Sequence, residues 1–116
     1  MHIGMGSFAA GDVILAPLRF GGAGGEKTRP AVVITAVERN ALIVCPVSST
    51  PPTDAACIPL SLDGFARGGL DLFDESYILT AHTVTIRTAS VVGKKGRLTG
   101  EMVAALTAAV QADGRP

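Results

Sequence analysis

Apolar positions along this chain come in short blocks, cut by glycine, proline and polar turns. That spacing belongs to strands until the last quarter of the sequence. Residues 12–18 (DVILAPL) follow Gly11 and read as a first strand. Residues 31–35 (AVVIT) are a continuous β-branched run, short enough for a buried strand. Residues 41–47 (ALIVCPV) are the next, and Pro46 implies that pairing ends or bulges there. Residues 57–62 (CIPLSL), with Pro59 near the start, and residues 76–79 and 83–88 supply further strands. Between them lie a glycine loop at 21–25, a polar turn at 38–40, a Ser/Thr/Pro loop at 48–56 and a loop at 63–69. The end of the chain changes period. Met102, Leu106 and Val110 recur every four residues, which places them on one face of a helix over 101–112. Thr99 stands at its N-cap, Leu98 and Val103 hold the two positions of a hydrophobic staple, and Gly114 is placed as a stop. Five or six short strands and one C-terminal α-helix predict a mainly β fold: a small, strongly bent barrel with the helix packed on it.

A length of 116 residues fits a single domain spanning 1–116, with a core over about 11–112. The chain is 47% hydrophobic, which excludes intrinsic disorder. Only 17% of residues are charged, below the ~25% of ordinary soluble domains, so an apolar surface such as an oligomer face is expected. Ten basic and ten acidic side chains cancel overall. They are not evenly spread: residues 1–50 sum to +1, residues 51–80 to −4 and residues 81–116 to +3. A generic polybasic binder is excluded, whereas a locally positive groove is compatible with the balance. Cys45 and Cys57 sit in apolar runs and read as buried small hydrophobes. The first eleven residues lack the basic and apolar regions of a signal peptide, and no apolar run approaches the ~20 residues of a membrane span. The expectation is a soluble, cytoplasmic protein.

The glycine loop is the first candidate for chemistry. Gly21-Gly-Ala-Gly-Gly-Glu-Lys-Thr28 is one residue from a phosphate-binding loop, but Glu26 replaces its second glycine. Such a loop must also open a helix, and here Pro30 and a β-branched run follow. The remaining choice lies between a plain hairpin connection and a mobile loop over a site. Arg29 directly precedes Pro30, which holds it extended at the mouth of a buried strand. A planar guanidinium there can hold two phosphate oxygens, or it can serve structurally by bonding loop carbonyls. Ser48, Ser49 and Thr50 put three hydroxyls where a strand runs into a loop, suited to turn capping or to hydrogen bonding a phosphate or ribose. His82 and the cysteines form no zinc-binding pattern, and no G-x-S-x-G motif is present for a hydrolase triad.

Taken together, Gly11-Asp12-Val-Ile-Leu, the glycine loop, Lys27-Thr-Arg29-Pro30-Ala-Val-Val-Ile and Cys45-Pro-Val-Ser-Ser49 resemble the MazF/PemK toxins. These are the ribonuclease halves of type II toxin–antitoxin pairs. The resemblance runs over about 11–110 and implies a small SH3-like barrel of the CcdB/PemK type. It implies a homodimer that acts as a sequence-specific endoribonuclease, cutting single-stranded RNA without metal or cofactor. The ribose 2′-hydroxyl would attack the adjacent phosphate and leave a cyclic phosphate and a 5′-hydroxyl. A MazE-like antitoxin with an acidic or apolar tail would neutralise it, the pair binding DNA together. By the same resemblance Arg29 and Ser48 are the catalytic positions, with Ser49 beside them. Arg19, Lys27, Thr28 and Arg87 are further RNA-binding candidates. Several members carry a carboxylate and a glutamine before the fifth or sixth strand, where this chain reads Ala81-His82. His82 is therefore the candidate for proton transfer, a task that suits imidazole. The competing reading is a non-catalytic SH3-like barrel that binds a peptide or protein partner. One tyrosine and no tryptophan speak against a peptide groove of that kind.

Overall fold

A computed structural model of the chain describes residues 8–19, 26–37, 40–50, 53, 56–69 and 76–113. The glycine loop at 21–25, most of the polar turn at 38–40 and the stop at Gly114 lie outside the described residues. The strands are β1 (Asp12–Leu18), β2 (Lys27–Val37), β3 (Ala41–Ser48), β4 (Ile58–Leu60), β5 (Phe65–Gly68), β6 (Ser76–Ile78), β7 (Val84–Arg87) and β8 (Gly93–Leu98). Short 3-10 turns cover Leu62–Gly64 and Thr88–Ser90, and the chain closes with helix α1 (Gly100–Asp113). The strands pair antiparallel in the order β4-β6-β3-β2-β1-β8-β5, with β7 also on β3. The mainly β fold with a C-terminal helix is thus the observed one, built as a half-barrel sheet.

Period-two alternation explains how three strands serve two cores. Ile14, Ala16 and Leu18 on β1, Ala31 and Val33 on β2, and Leu42 and Val44 on β3 form one buried cluster. Phe8, Val84, Ile86 and Val91 cover it. The intervening Val13, Val32, Cys45 and Val47 face the other way and meet Leu60, Ile78, Leu98 and Leu106. Both faces of β1–β2–β3 are therefore covered, which is why these strands read as near-continuous apolar runs. Helix α1 supplies the lid of the second cluster through Leu106, Met102, Val103 and Val110. Its start follows the sequence signals: Thr99 Oγ1 accepts the Met102 N–H at 3.2 Å, and Leu98 and Val103 share one apolar cluster. Among the described residues, no helix is long and apolar enough to cross a membrane.

Four readings are corrected. Strand β2 begins at Lys27, so Lys27, Thr28 and Arg29 belong to the strand rather than to the loop before it. The loop expected at 63–69 contains β5, and β8 lies in the polar stretch Gly93–Leu98 where no strand was expected. Neither has apolar alternation, because β8 is held by backbone pairing to β1 and β5 and by charge rather than by a buried face. Cys45 is fully buried as expected, while Cys57 is only half-buried.

Gly11 and Asp12 tie the sheet to the helix. Gly11 takes φ +95°, in the left-handed region that favours glycine. Its N–H donates to the Val33 carbonyl at 2.9 Å and its carbonyl accepts the Leu98 N–H at 2.9 Å. A Cβ on it would come within 2.5 Å of Val103 Cγ2. The next residue, Asp12, is 1% exposed. Oδ2 accepts the Ala9 N–H at 2.9 Å, and Oδ1 faces Arg97 Nη2 at 3.1 Å and Lys94 Nζ at 3.3 Å. A buried carboxylate is tolerable only with such partners. The arrangement is asymmetric, since both cations remain nearly half exposed and Asp12 does not.

Two outcomes follow for stability. Gly11→Ala is expected to destabilise by about 2–4 kcal/mol in urea unfolding, from backbone strain plus overpacking against Val103. The double variant Lys94→Met, Arg97→Met should lose about 3–5 kcal/mol, because it strands a buried carboxylate. Adding Asp12→Asn to that pair should recover part of the loss. A triple variant less stable than the double would show that the carboxylate is not the source of the penalty.

Candidate functional site

The cleft opens where β2 and β3 part company. Their ladder runs from Val37↔Ala41 to Ala31↔Pro46 and ends there. Beyond it β2 continues back to Lys27 beside β1 alone. Strand β3 continues to Ser48 but changes partner, from β7 along Ala41–Val44 to β6 at Val47 and Ser48. The two prolines suit this divergence. Pro46, without an N–H, occupies the last rung, and its carbonyl accepts the Leu79 N–H at 2.9 Å. Pro30 is the first β2 residue outside that ladder, where no rung to β3 is required.

The gap left between the strands is an open hollow of about 640 Å³. Thr28, Arg29 and Pro30 line it from β2, and Val47, Ser48, Ser49 and Thr50 from β3 and the loop after it. Leu15 from β1, Ser76 from β6 and Lys95 from β8 complete the lining. Among the described residues this lining carries two cations, five hydroxyl side chains and no carboxylate. Such a surface attracts an anion and offers it many hydrogen-bond partners. Arg29 is half-buried, with its Nε shut off from solvent. It pairs with Ala16 across the β1–β2 ladder, so its backbone belongs to the sheet rather than to a loop. The Ser48 hydroxyl is folded back on its own loop, accepting the Thr50 N–H at 3.0 Å and donating to the Thr50 carbonyl at 3.0 Å. It shapes the turn that presents the exposed Ser49 and Thr50.

Arg29, Thr28, Ser48 and Ser49 are thus brought together from two separate strands. The other candidates stand elsewhere. Lys27 is exposed at the start of β2, outside the lining. Arg19 and Arg87 line another, smaller hollow of about 370 Å³ together with Glu26 and Ser90. His82 is exposed on the turn after β6, its N–H donating to the Leu79 carbonyl at 3.1 Å, and does not line the cleft. Among the described residues, no group of three His, Cys, Asp or Glu side chains is arranged to hold a metal ion. Sequence reasoning missed Ser76 and Lys95. Ser76 opens a short strand without a motif, and Lys95 lies in a run of four with three basic residues whose members look equivalent until β8 is paired.

Comparison with known proteins bears on the fold and the family. No curated protein matches the chain in sequence. Among solved structures, the Mycobacterium tuberculosis toxin MazF-mt6 is similar with a TM-score of 0.67 at 20% identity, over 89% of this chain and 95% of that one. A second, an endoribonuclease in complex with its cognate antitoxin from mycobacterial species, is similar with a TM-score of 0.63 at 13% identity, over 95% of this chain and 98% of that one. At such identities the likeness is one of fold. The family itself comes from the sequence profile of PemK-like, MazF-like toxins, which matches residues 9–112. With nearly the whole chain matched, this protein belongs to the PemK-like, MazF-like toxins of type II toxin–antitoxin systems.

Proposed function

We propose that the chain is an endoribonuclease toxin whose cleft holds the scissile phosphate of single-stranded RNA, and that a cognate antitoxin neutralises it. The observation that carries this reading is the convergence of Arg29 with the Thr28, Ser48 and Ser49 hydroxyl residues in one open cleft, with no carboxylate among its described lining residues. The similar endoribonuclease solved with its antitoxin supports it. In the reaction the substrate supplies its own nucleophile. The P–O2′ bond forms, the P–O5′ bond breaks, the 2′-hydroxyl loses its proton and the 5′ oxygen gains one. No metal is required for that balance. The protein's part is to hold the phosphate in line and to place positive charge where the transition state gathers negative charge. Arg29 does this, because a guanidinium can contact two non-bridging oxygens at once. Ser48 keeps the loop in shape, and Ser49, Thr50 and Thr28 donate to phosphate or ribose oxygens. Unpaired RNA is the expected substrate, since splayed bases offer edges that an A-form duplex hides. Lys27 lies next along β2 and takes a neighbouring phosphate, while Arg19 and Arg87 in the second hollow contact RNA farther along. The active form is a homodimer, which accounts for the low charged fraction and for apolar side chains such as Val92, 64% exposed.

A non-catalytic barrel holding a peptide would need an aromatic groove, and no aromatic side chain is among the described lining residues. Incubating the purified chain with single-stranded RNA in EDTA separates the two readings. The wild type should cut, leaving cyclic phosphate and 5′-hydroxyl ends. The folded fraction of Arg29→Ala should be slower by about 10²–10³-fold. No cutting by the wild type would favour the binding module. His82 is not among the described lining residues of the cleft, so this reading routes no proton through it. His82→Ala is expected to keep the wild-type rate and pH profile, and loss of one limb of the profile would restore it as acid or base.

A further inference from the structure

Strand β8 carries Lys94, Lys95 and Arg97, and the structure treats them differently. Side chains alternate along a regular strand, so residues 94 and 97 would point to opposite faces. Both nevertheless reach Oδ1 of Asp12. The cause is a bulge: Gly96 pairs with Val13 and Lys94 with Ile14, leaving Lys95 as an extra residue with no partner in β1. One inserted residue restores the parity of 94 and 97 and re-aims the extra residue, Lys95. Lys94 and Arg97 are thereby committed to Asp12, while Lys95 lines the cleft with Arg29 and Ser48. The bulge is braced from β5. The Lys95 carbonyl accepts the Gly69 N–H at 3.0 Å, and Gly68 and Gly96 approach so closely that neither has room for a Cβ.

We propose that Lys95 is the second phosphate-binding cation of the cleft, holding a non-bridging oxygen of the scissile phosphodiester alongside Arg29. The inference rests on the reading of the cleft as an RNA site. A phosphodiester carries one negative charge and its pentavalent transition state gathers a second, so one guanidinium leaves charge uncompensated. An ammonium acts there as a point charge and needs no fixed fork geometry. Because Lys95 is exposed and Arg29 is half-buried, the lysine's effect is smaller than the arginine's.

The test compares Lys95→Met, Lys95→Arg and Lys94→Met in three assays. These are melting temperature, kcat and KM on single-stranded RNA, and binding of an uncleavable all-deoxy oligonucleotide across a salt series. Lys95→Met should melt with the wild type, lose about 10- to 100-fold in kcat and bind with a log–log salt slope shallower by about 0.7. Lys95→Arg should restore most of both. Lys94→Met should melt lower, yet its folded fraction should cleave like the wild type. Lys95→Met cleaving within about twofold of the wild type with an unchanged salt slope would overturn the proposal. So would a loss that merely tracks a lowered melting temperature. If the wild type binds the oligonucleotide through Lys95 but cuts no RNA, the phosphate site stands and the cleavage reading fails.

Discussion

The cleft, its charge and its rim all depend on one constraint, the end of the β2–β3 ladder at Ala31 and Pro46. Up to that rung the two strands pair with each other and bury side chains on two faces. Past it β3 must leave, because β6 claims Val47 and Ser48 and the Leu79 N–H claims the Pro46 carbonyl. The space between diverging strands cannot be filled by backbone. It becomes a wedge open to solvent, lined by whatever side chains the two strands carry beyond the branch. The chain places Thr28 and Arg29 on one side and Ser48, Ser49 and Thr50 on the other.

Charge is divided with similar economy on the neighbouring strand. Asp12 is buried at the seam between β1 and β8 and holds two of the three cations that β8 offers. The bulge at Lys95 makes that pairing geometrically feasible and releases the third toward the cleft. One irregularity therefore serves stability and the site together. Gly11 completes the junction, since both its backbone groups pair into the sheet while its missing side chain admits Val103 of the helix.

What could be read from the sequence was what apolar alternation and capping chemistry control. Strand β1 was legible residue for residue, β3 nearly so, and the helix was announced by Thr99 and the Met102, Leu106, Val110 stripe. Arg29 was legible through Pro30, and the hydroxyl cluster through its density. Strands β5 and β8 were not, because Phe65–Gly68 and Gly93–Leu98 bury almost no apolar face and owe their order to register and to close glycine contact. Lys95 was hidden for the same reason. Three basic residues in a run of four look interchangeable until pairing shows which is the extra one. His82 shows the converse limit: rarity in composition drew attention to it, but only the turn after β6 decides where it stands.

The single-sided anchorage of residues 27–30 has a dynamic consequence. Backbone paired to one neighbour opens locally at lower free energy than backbone held on both sides. Arg29 rides on that weaker end, while Ala31, Val32 and Val33 just beyond it belong to the most enclosed part of the sheet. On warming, the arginine's strand end comes loose while the centre of the sheet is still intact. The cleft should lose its grip on an anion some degrees before the fold melts, and amide exchange should advance along β2 from Lys27 inward.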